Sequence, residues 1–129
     1  MREVAGVTQG DVRGNNASIK RMEIYMAKLF SQGGSVQCGE RPVLIVQNNI
    51  GNANSPTVIV VPLTSKAKKD MPTHVEIPIK NGLTVESVAL CEQIITLPTN
   101  KLERKMGMIR DKGLTKKINE ALKVSLGLI

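Results

Sequence analysis

Hydrophobic positions fall in short bursts along most of this chain and settle into a helical period only towards its C-terminus. From Glu23 the run E-I-Y-M-A-K-L-F suits a strand, and Gly33 and Gly34 then open a loop that ends at Arg41 and Pro42. Pro42 fixes its own backbone angle and biases Arg41 towards an extended conformation. Residues 43–47 and 57–63 are nearly continuous β-branched runs, the pattern of central strands buried on both faces, and the G-N-A-N-S-P stretch between them has turn chemistry. Residues 74–79 alternate as H-V-E-I-P-I with Val75, Ile77 and Ile79 on one side. Pro78 lacks a ladder N–H, which assigns this strand to an edge. Residues 87–96 supply another apolar pair of segments around Glu92 and Gln93.

Near the C-terminus Leu114, Ile118, Ala121, Leu122, Ser125 and Leu126 recur at the three- and four-residue spacings of one helical face. With Gly113 near the start and Gly127 beyond the end, the pattern predicts a helix over 115–126. Short strands followed by one terminal helix predict a mainly β domain with α: an antiparallel barrel or sheet, closed or covered by that helix. The 129 residues fit one domain. Residues 1–19 show no sustained period and are expected to be a flexible N-terminal extension before a domain over 20–129.

Composition changes this picture in two ways. Aromatic residues make up only 2% of the chain, Tyr25 and Phe30 being the whole supply, so the core is built from Val, Ile, Leu, Met and Ala. The same scarcity limits base stacking of the kind that common RNA-binding modules use. The formal charge of +7, from 18 basic and 11 acidic side chains, favours an anionic partner. Cys38 and Cys91 are too few and too far apart for a disulfide framework or a zinc site, which points to free thiols in a reducing cytoplasm. No segment has the ~20 apolar residues of a membrane span, so no membrane partner is expected.

No Cys/His ligand cluster, G-x-S-x-G or phosphate-cradling glycine loop is present, and no metal or cofactor is expected. What remains is an arginine and a hydroxyl at strand ends. Gly34 to Pro42 reads G-S-V-Q-C-G-E-R-P and delivers Arg41, while Pro62 to Lys66 reads P-L-T-S-K and delivers Thr64. A guanidinium matches phosphate oxygens bidentately and suits charge developing on phosphorus. RNA carries its own nucleophile in the 2′-hydroxyl, so its cleavage needs little more than charge stabilisation, positioning and proton transfer. From residue chemistry alone, a surface arginine and a strand-end threonine bonding local backbone stay open as readings. His74, the single histidine, is the natural proton shuttle by pKa and equally a solvent-facing strand residue.

These strings, with R-P-V-L-I-V-Q-N-N-I-G-N, S-P-T-V-I-V, P-T-H-V-E-I, S-V-A-L-C-E-Q-I and E-A-L-K-V-S-L-G-L in order, resemble the MazF/PemK family of bacterial toxins from about Lys20 onwards. The resemblance implies a small SH3-like barrel of the CcdB/PemK kind, working as a homodimer. It implies a sequence-selective, metal-independent endoribonuclease that cuts single-stranded RNA and leaves a cyclic phosphate and a 5′-hydroxyl. A cognate antitoxin with an acidic extended tail is the implied inhibitor. Arg41 and Thr64 match the family's catalytic pair. Ser35, Gln37, Ser65, Lys66, Glu92 and Gln93 match positions that line its RNA groove, and His74 is a further candidate for RNA contact.

The chain departs from the family's pattern at four places. Met22–Glu23 stands where Gly-Asp is common, Val36 replaces an acidic residue, Cys38 replaces a glycine, and Ile95 replaces an arginine. Two rival readings belong to other classes. One is a non-catalytic, CcdB-like protein-binding toxin, disfavoured by the lack of tryptophan and the Leu-Gly-Leu-Ile ending. The other is an inactive relative that binds only RNA or antitoxin.

Overall fold

The computed structural model describes residues 19–30, 33–34, 38–65 and 69–129. Most of the N-terminal extension expected over 1–19 therefore lies outside the described residues. Ile19, where the description begins, is buried in the core beside Tyr25 and Ala27.

The described residues form seven strands and two α-helices: β1 (Glu23–Leu29), β2 (Gly39–Ile45), α1 (Asn49–Asn54), β3 (Thr57–Thr64), β4 (His74–Ile77), β5 (Ser87–Leu90), β6 (Ile95–Pro98), β7 (Leu102–Met108) and α2 (Lys112–Ser125). Every pairing is antiparallel, in the order β4-β5-β3-β2-β1-β7 with β6 also on β3. The mainly antiparallel sheet with its C-terminal helix is as expected, and among the described residues the ladder is open at β4 and β7 rather than closed. β2 and β3 are central and β4 is an edge, as their patterns indicated.

β3 changes partners along its length. Thr57–Val60 pairs with β6, and Leu63 and Thr64 pair with β5. Pro62 falls in the gap between those two ladders, where a missing N–H costs least. The alternation of strand side chains feeds two cores. Ile24, Leu44, Val61, Leu63, Val75 and Ile77 pack under Leu114, Ile118 and Ala121 of α2. Tyr25, Ala27, Val43, Ile45, Val58 and Val60 meet Leu97 and Leu102 on the other face.

Five elements differ from the sequence reading. β2 begins at Gly39, so Arg41 lies inside the strand and not in the loop before it, and β4 ends at Ile77, leaving Ile79 half exposed in a 3-10 turn. The presumed turn after β2 forms α1, because Asn48 caps it by accepting from the Gly51 N–H at 2.8 Å. The terminal helix starts at Lys112, three residues before the expected Thr115, because Asp111 accepts from the Leu114 N–H and Gly113 is tolerated in the first turn. Its end is as expected, with Gly127 in the left-handed region and the Leu128 N–H reaching the Lys123 carbonyl at 2.8 Å. β7 carries the charged run L-E-R-K-M-G-M, which has no strand signature of its own. It becomes a strand by pairing with β1, so tertiary context overrides its weak pattern.

Candidate active site

Arg41 is aimed by its strand. Its backbone pairs with Ala27 of β1, and Gly39, at φ +80°, lets the chain turn into β2 from Cys38. Its Nε donates to the Cys38 carbonyl at 3.1 Å. Among the described residues its two Nη groups have no partner, so four N–H donors in a planar fork remain for an anion.

The β2–β3 register runs through Val43↔Pro62, Leu44↔Val61 and Ile45↔Val60. The ladder ends at Val43↔Pro62, and Arg41 and Thr64 each stand two residues beyond that pair, on the strand parity of Val43 and Pro62 respectively. Thr64 is only 2% exposed, while Ser65, the next residue, is open to solvent. Ser65 borders a shallow groove shared with Glu76, Glu86 and Ser87. Ser35, Gln37 and Lys66 lie outside the described residues, as does Val36.

A second grouping sits one same-face step along the sheet. Thr64 pairs with Val88, Val88 with Glu76, and the next such pair on β4 and β5 is His74↔Leu90. His74 Nδ1 lies 2.8 Å from the Lys69 carbonyl and Nε2 lies 3.1 Å from Glu92 Oε2. Both atoms opposite the ring are acceptors, so the ring is held between the Lys69 backbone and the Glu92 carboxylate. Thr73 Oγ1 donates to the other Glu92 oxygen at 3.0 Å. Partial burial works to raise the Glu92 pKa, but bonds from its own backbone, His74 and Thr73, with the His74 charge, outweigh burial and leave it below the ordinary carboxylate value. Gln93 adjoins this array, its N–H bonded to the Leu90 carbonyl at 2.9 Å.

The candidates thus fall into two groups: Arg41 with Thr64 and Ser65, and His74 with Glu92 and Gln93. Sequence reasoning missed Thr73 and the Cys38 and Lys69 carbonyls. Thr73 stands in P-T-H-V, yet its partner Glu92 is 19 residues on, and only the Val75↔Ala89 pairing brings them together. Cys91 is wholly buried, and burial, reinforced by the Glu92 charge, pushes its thiol up to about 12, which removes it from thiolate chemistry at neutral pH. Arg21, also unanticipated, ties the outer shell together. Its Nε donates to the Val46 carbonyl and its Nη2 to Asn119 Oδ1, both at 2.8 Å, and burial lowers its pKa.

Met22 clarifies one departure from the family pattern. It adopts φ +75°, a backbone conformation that glycine occupies freely and L-residues rarely do. Two bonds hold it there, its N–H to the Ile45 carbonyl and its carbonyl from the Ile109 N–H, while the side chain is buried under α2.

Known proteins resemble this chain in sequence and in fold. The chain is 46% identical over 112 residues to Endoribonuclease MazF of Staphylococcus saprophyticus, covering 85% of this chain and 92% of that protein. It is 45% identical over 113 residues to Endoribonuclease EndoA of Bacillus subtilis, covering 86% and 97%. Among solved structures, a mycobacterial endoribonuclease in complex with its cognate antitoxin superposes with a TM-score of 0.73 at 29% identity, covering 87% of this chain and 98% of that one. Mycobacterium tuberculosis toxin MazF-mt6 does so with a TM-score of 0.70 at 26% identity, covering 81% and 96%. The profile of the PemK-like, MazF-like toxins of type II toxin–antitoxin systems matches residues 20–126, and the chain belongs to that family.

Proposed function

We propose that this endoribonuclease toxin cuts single-stranded RNA by transesterification at the 2′-hydroxyl, with Arg41 stabilising charge on phosphorus and Thr64 positioning the phosphate beside it. The 2′-oxygen forms a bond to phosphorus as the bond to the 5′-oxygen breaks. One proton leaves the 2′-hydroxyl and one is taken up by the departing oxygen, which yields a cyclic phosphate and a 5′-hydroxyl. The observation that carries the reading is that Arg41 and Thr64 stand two residues beyond one β2–β3 pair, Val43↔Pro62, with the Nη donors of Arg41 unpartnered among the described residues. Such a fork acts where charge develops and needs no change of its own protonation. Because Thr64 is almost wholly covered, its hydroxyl acts on a phosphate already held by Arg41 rather than capturing one from solvent.

Ser65, His74, Glu92 and Gln93 extend the same surface and serve to read bases of a splayed single strand, the role that the family resemblance also gives Ser35, Gln37 and Lys66. A mycobacterial endoribonuclease of the same fold is held by its cognate antitoxin, and the +7 charge of this chain suits an antitoxin segment that is acidic and extended. Exposed Leu126, Leu128 and Ile129 beyond α2 offer apolar surface for a homodimer. Cytoplasmic action follows from an mRNA substrate.

The test is incubation of purified protein with a long single-stranded RNA, with and without EDTA, beside Arg41→Ala. Cutting should survive EDTA and fall by about 10²–10³-fold in the variant, by analogy with loss of one oxyanion-hole donor. RNA left intact by the unmodified protein would refute the activity. Full activity in Arg41→Ala would refute the mechanism alone.

A further inference from the structure

Between Cys38 and Arg41 one residue lies in the left-handed half of backbone space, Gly39 at φ +80°. It opens β2 opposite Leu29, and the residues after it are held in the ladder through Lys28↔Glu40 and Ala27↔Arg41. Its φ is therefore the torsion that sets the planar Cys38–Gly39 peptide against a fixed strand. At +80° the Cys38 carbonyl turns to the Arg41 side chain and accepts from Nε at 3.1 Å. An ordinary antiparallel φ of about −140° would swing the same carbonyl by roughly 140° and carry it away from Nε. Space is not the constraint, because among the described residues no atom lies within 4 Å of where a Cβ on Gly39 would sit. Glycine is required here by the hand of the backbone alone.

That bond decides how a phosphate is met. A guanidinium offers two bidentate edges, one through Nε with an Nη and one through the two Nη groups. With Nε committed to the Cys38 carbonyl, the second edge is left, and its N–H groups have no partner among the described residues. A fork held at Nε has also lost rotational freedom before the phosphate arrives, which preorganises the charge stabiliser. Because the acceptor belongs to the backbone, cysteine in place of the family's glycine at position 38 does not remove it.

We propose that Gly39 is a positioning residue of the reaction: its left-handed φ docks the Cys38 carbonyl on Arg41 Nε and so presents the Nη edge of Arg41, end-on, to the phosphate being cut. This rests on the RNA-cutting reading above. Gly39 acts through Arg41 and not on the RNA itself.

Cys38 and Cys91, the chain's two cysteines, are ligation junctions from which the whole protein can be assembled out of three synthetic segments, with 15N in the Arg41 guanidinium alone. The test compares the unmodified protein with Gly39→Ala and Gly39→D-Ala. It measures kcat and KM on a long single-stranded RNA, and hydrogen exchange of the Arg41 Nε–H by NMR. In the unmodified protein that N–H should exchange more slowly than in free arginine. Gly39→Ala should abolish the protection and lower kcat by about 10- to 100-fold, the scale of a stabiliser displaced by about 1 Å, with KM little changed because the charge of Arg41 stays. Gly39→D-Ala, whose preferred φ is positive, should restore both. A glycine needed only for folding would lower stability and leave the Nε–H protected in the molecules that fold.

Full kcat in Gly39→Ala overturns the proposal, as does an unprotected Nε–H in the unmodified protein, a result that needs no variant to fold. Equal losses in Gly39→Ala and Gly39→D-Ala also overturn it, since the added methyl and not the backbone hand would then be the cause. RNA left intact by the unmodified protein overturns the cleavage reading and the positioning role with it. A protected Nε–H beside intact RNA marks that failure as one of the chemistry and not of the anchor.

Discussion

His74 Nε2 and Glu92 Oε2 lie 3.1 Å apart, joining the start of β4 to the turn after β5. Since the folded Glu92 pKa is below its ordinary value of 4.5, its bonds contribute stability that is present above that value and is lost as pH falls through the lowered one. Glu92→Gln should therefore melt below the unmodified protein at neutral pH, and the gap should close in acid. Thermal melts between pH 7 and pH 3 measure it. A gap that widens in acid contradicts the assignment.

Thr64 separates a hydroxyl role from a packing role. Thr64→Ser keeps the oxygen and should retain most activity, whereas Thr64→Val keeps the shape and should lower kcat by about 10-fold or more, the loss expected when one positioned hydrogen bond is removed from the transition state. Since the side chain is buried, circular dichroism melts must accompany the kinetics. Equal activity in Thr64→Val and the unmodified protein would remove Thr64 from the mechanism.

Met22 should invert the usual ranking of alanine and glycine. Truncating a buried methionine to alanine costs about 2–5 kcal/mol and leaves the positive φ in place. Glycine loses the same packing but releases about 1–2 kcal/mol of left-handed backbone strain. Met22→Gly should thus be the more stable of the two in urea unfolding, by about 1 kcal/mol after the added entropy of the unfolded glycine chain. Alanine being the more stable would show that the strain is not carried by the backbone angle.

Gly107 and Gly82 let β7 run against the 3-10 turn at Ile79–Asn81 with backbone touching backbone. A Cβ on Gly107 would sit 2.1 Å from the Asn81 carbonyl oxygen, and one on Gly82, itself at φ +96°, 2.3 Å from that of Met106. Neither obstacle is a flexible side chain. Gly107→Ala should destabilise by about 1–3 kcal/mol through overpacking, read as a lower urea midpoint with an unchanged slope. A neutral substitution would mean that β7 moves aside at no cost.

Much of the site was legible because its elements announce themselves locally. Arg41 before a proline and Thr64 at the end of a β-branched run mark strand ends in the sequence, and ordered motifs identified the family. Thr73 and the Phe30–Lys101 contact were not legible, since each depends on a partner far away in the chain, and the Cys38 carbonyl's bond to Arg41, only three residues on, depends on the turn at Gly39.

By itself the sequence determined the strand-rich pattern, the amphipathic terminal helix, the basic charge and the arginine–threonine pair, because period, turn residues and side-chain chemistry act over a few neighbours. Only the tertiary structure decided that β7 is a strand and that Met22 bears a positive φ. It also decided which residues stand level across the sheet. Antiparallel register links positions far apart in the chain, and a shift of one residue would turn every side chain to the other face. For that reason the places of Arg41 and Thr64, 23 residues apart in sequence, at the end of one β2–β3 ladder belong to the fold and not to either string alone.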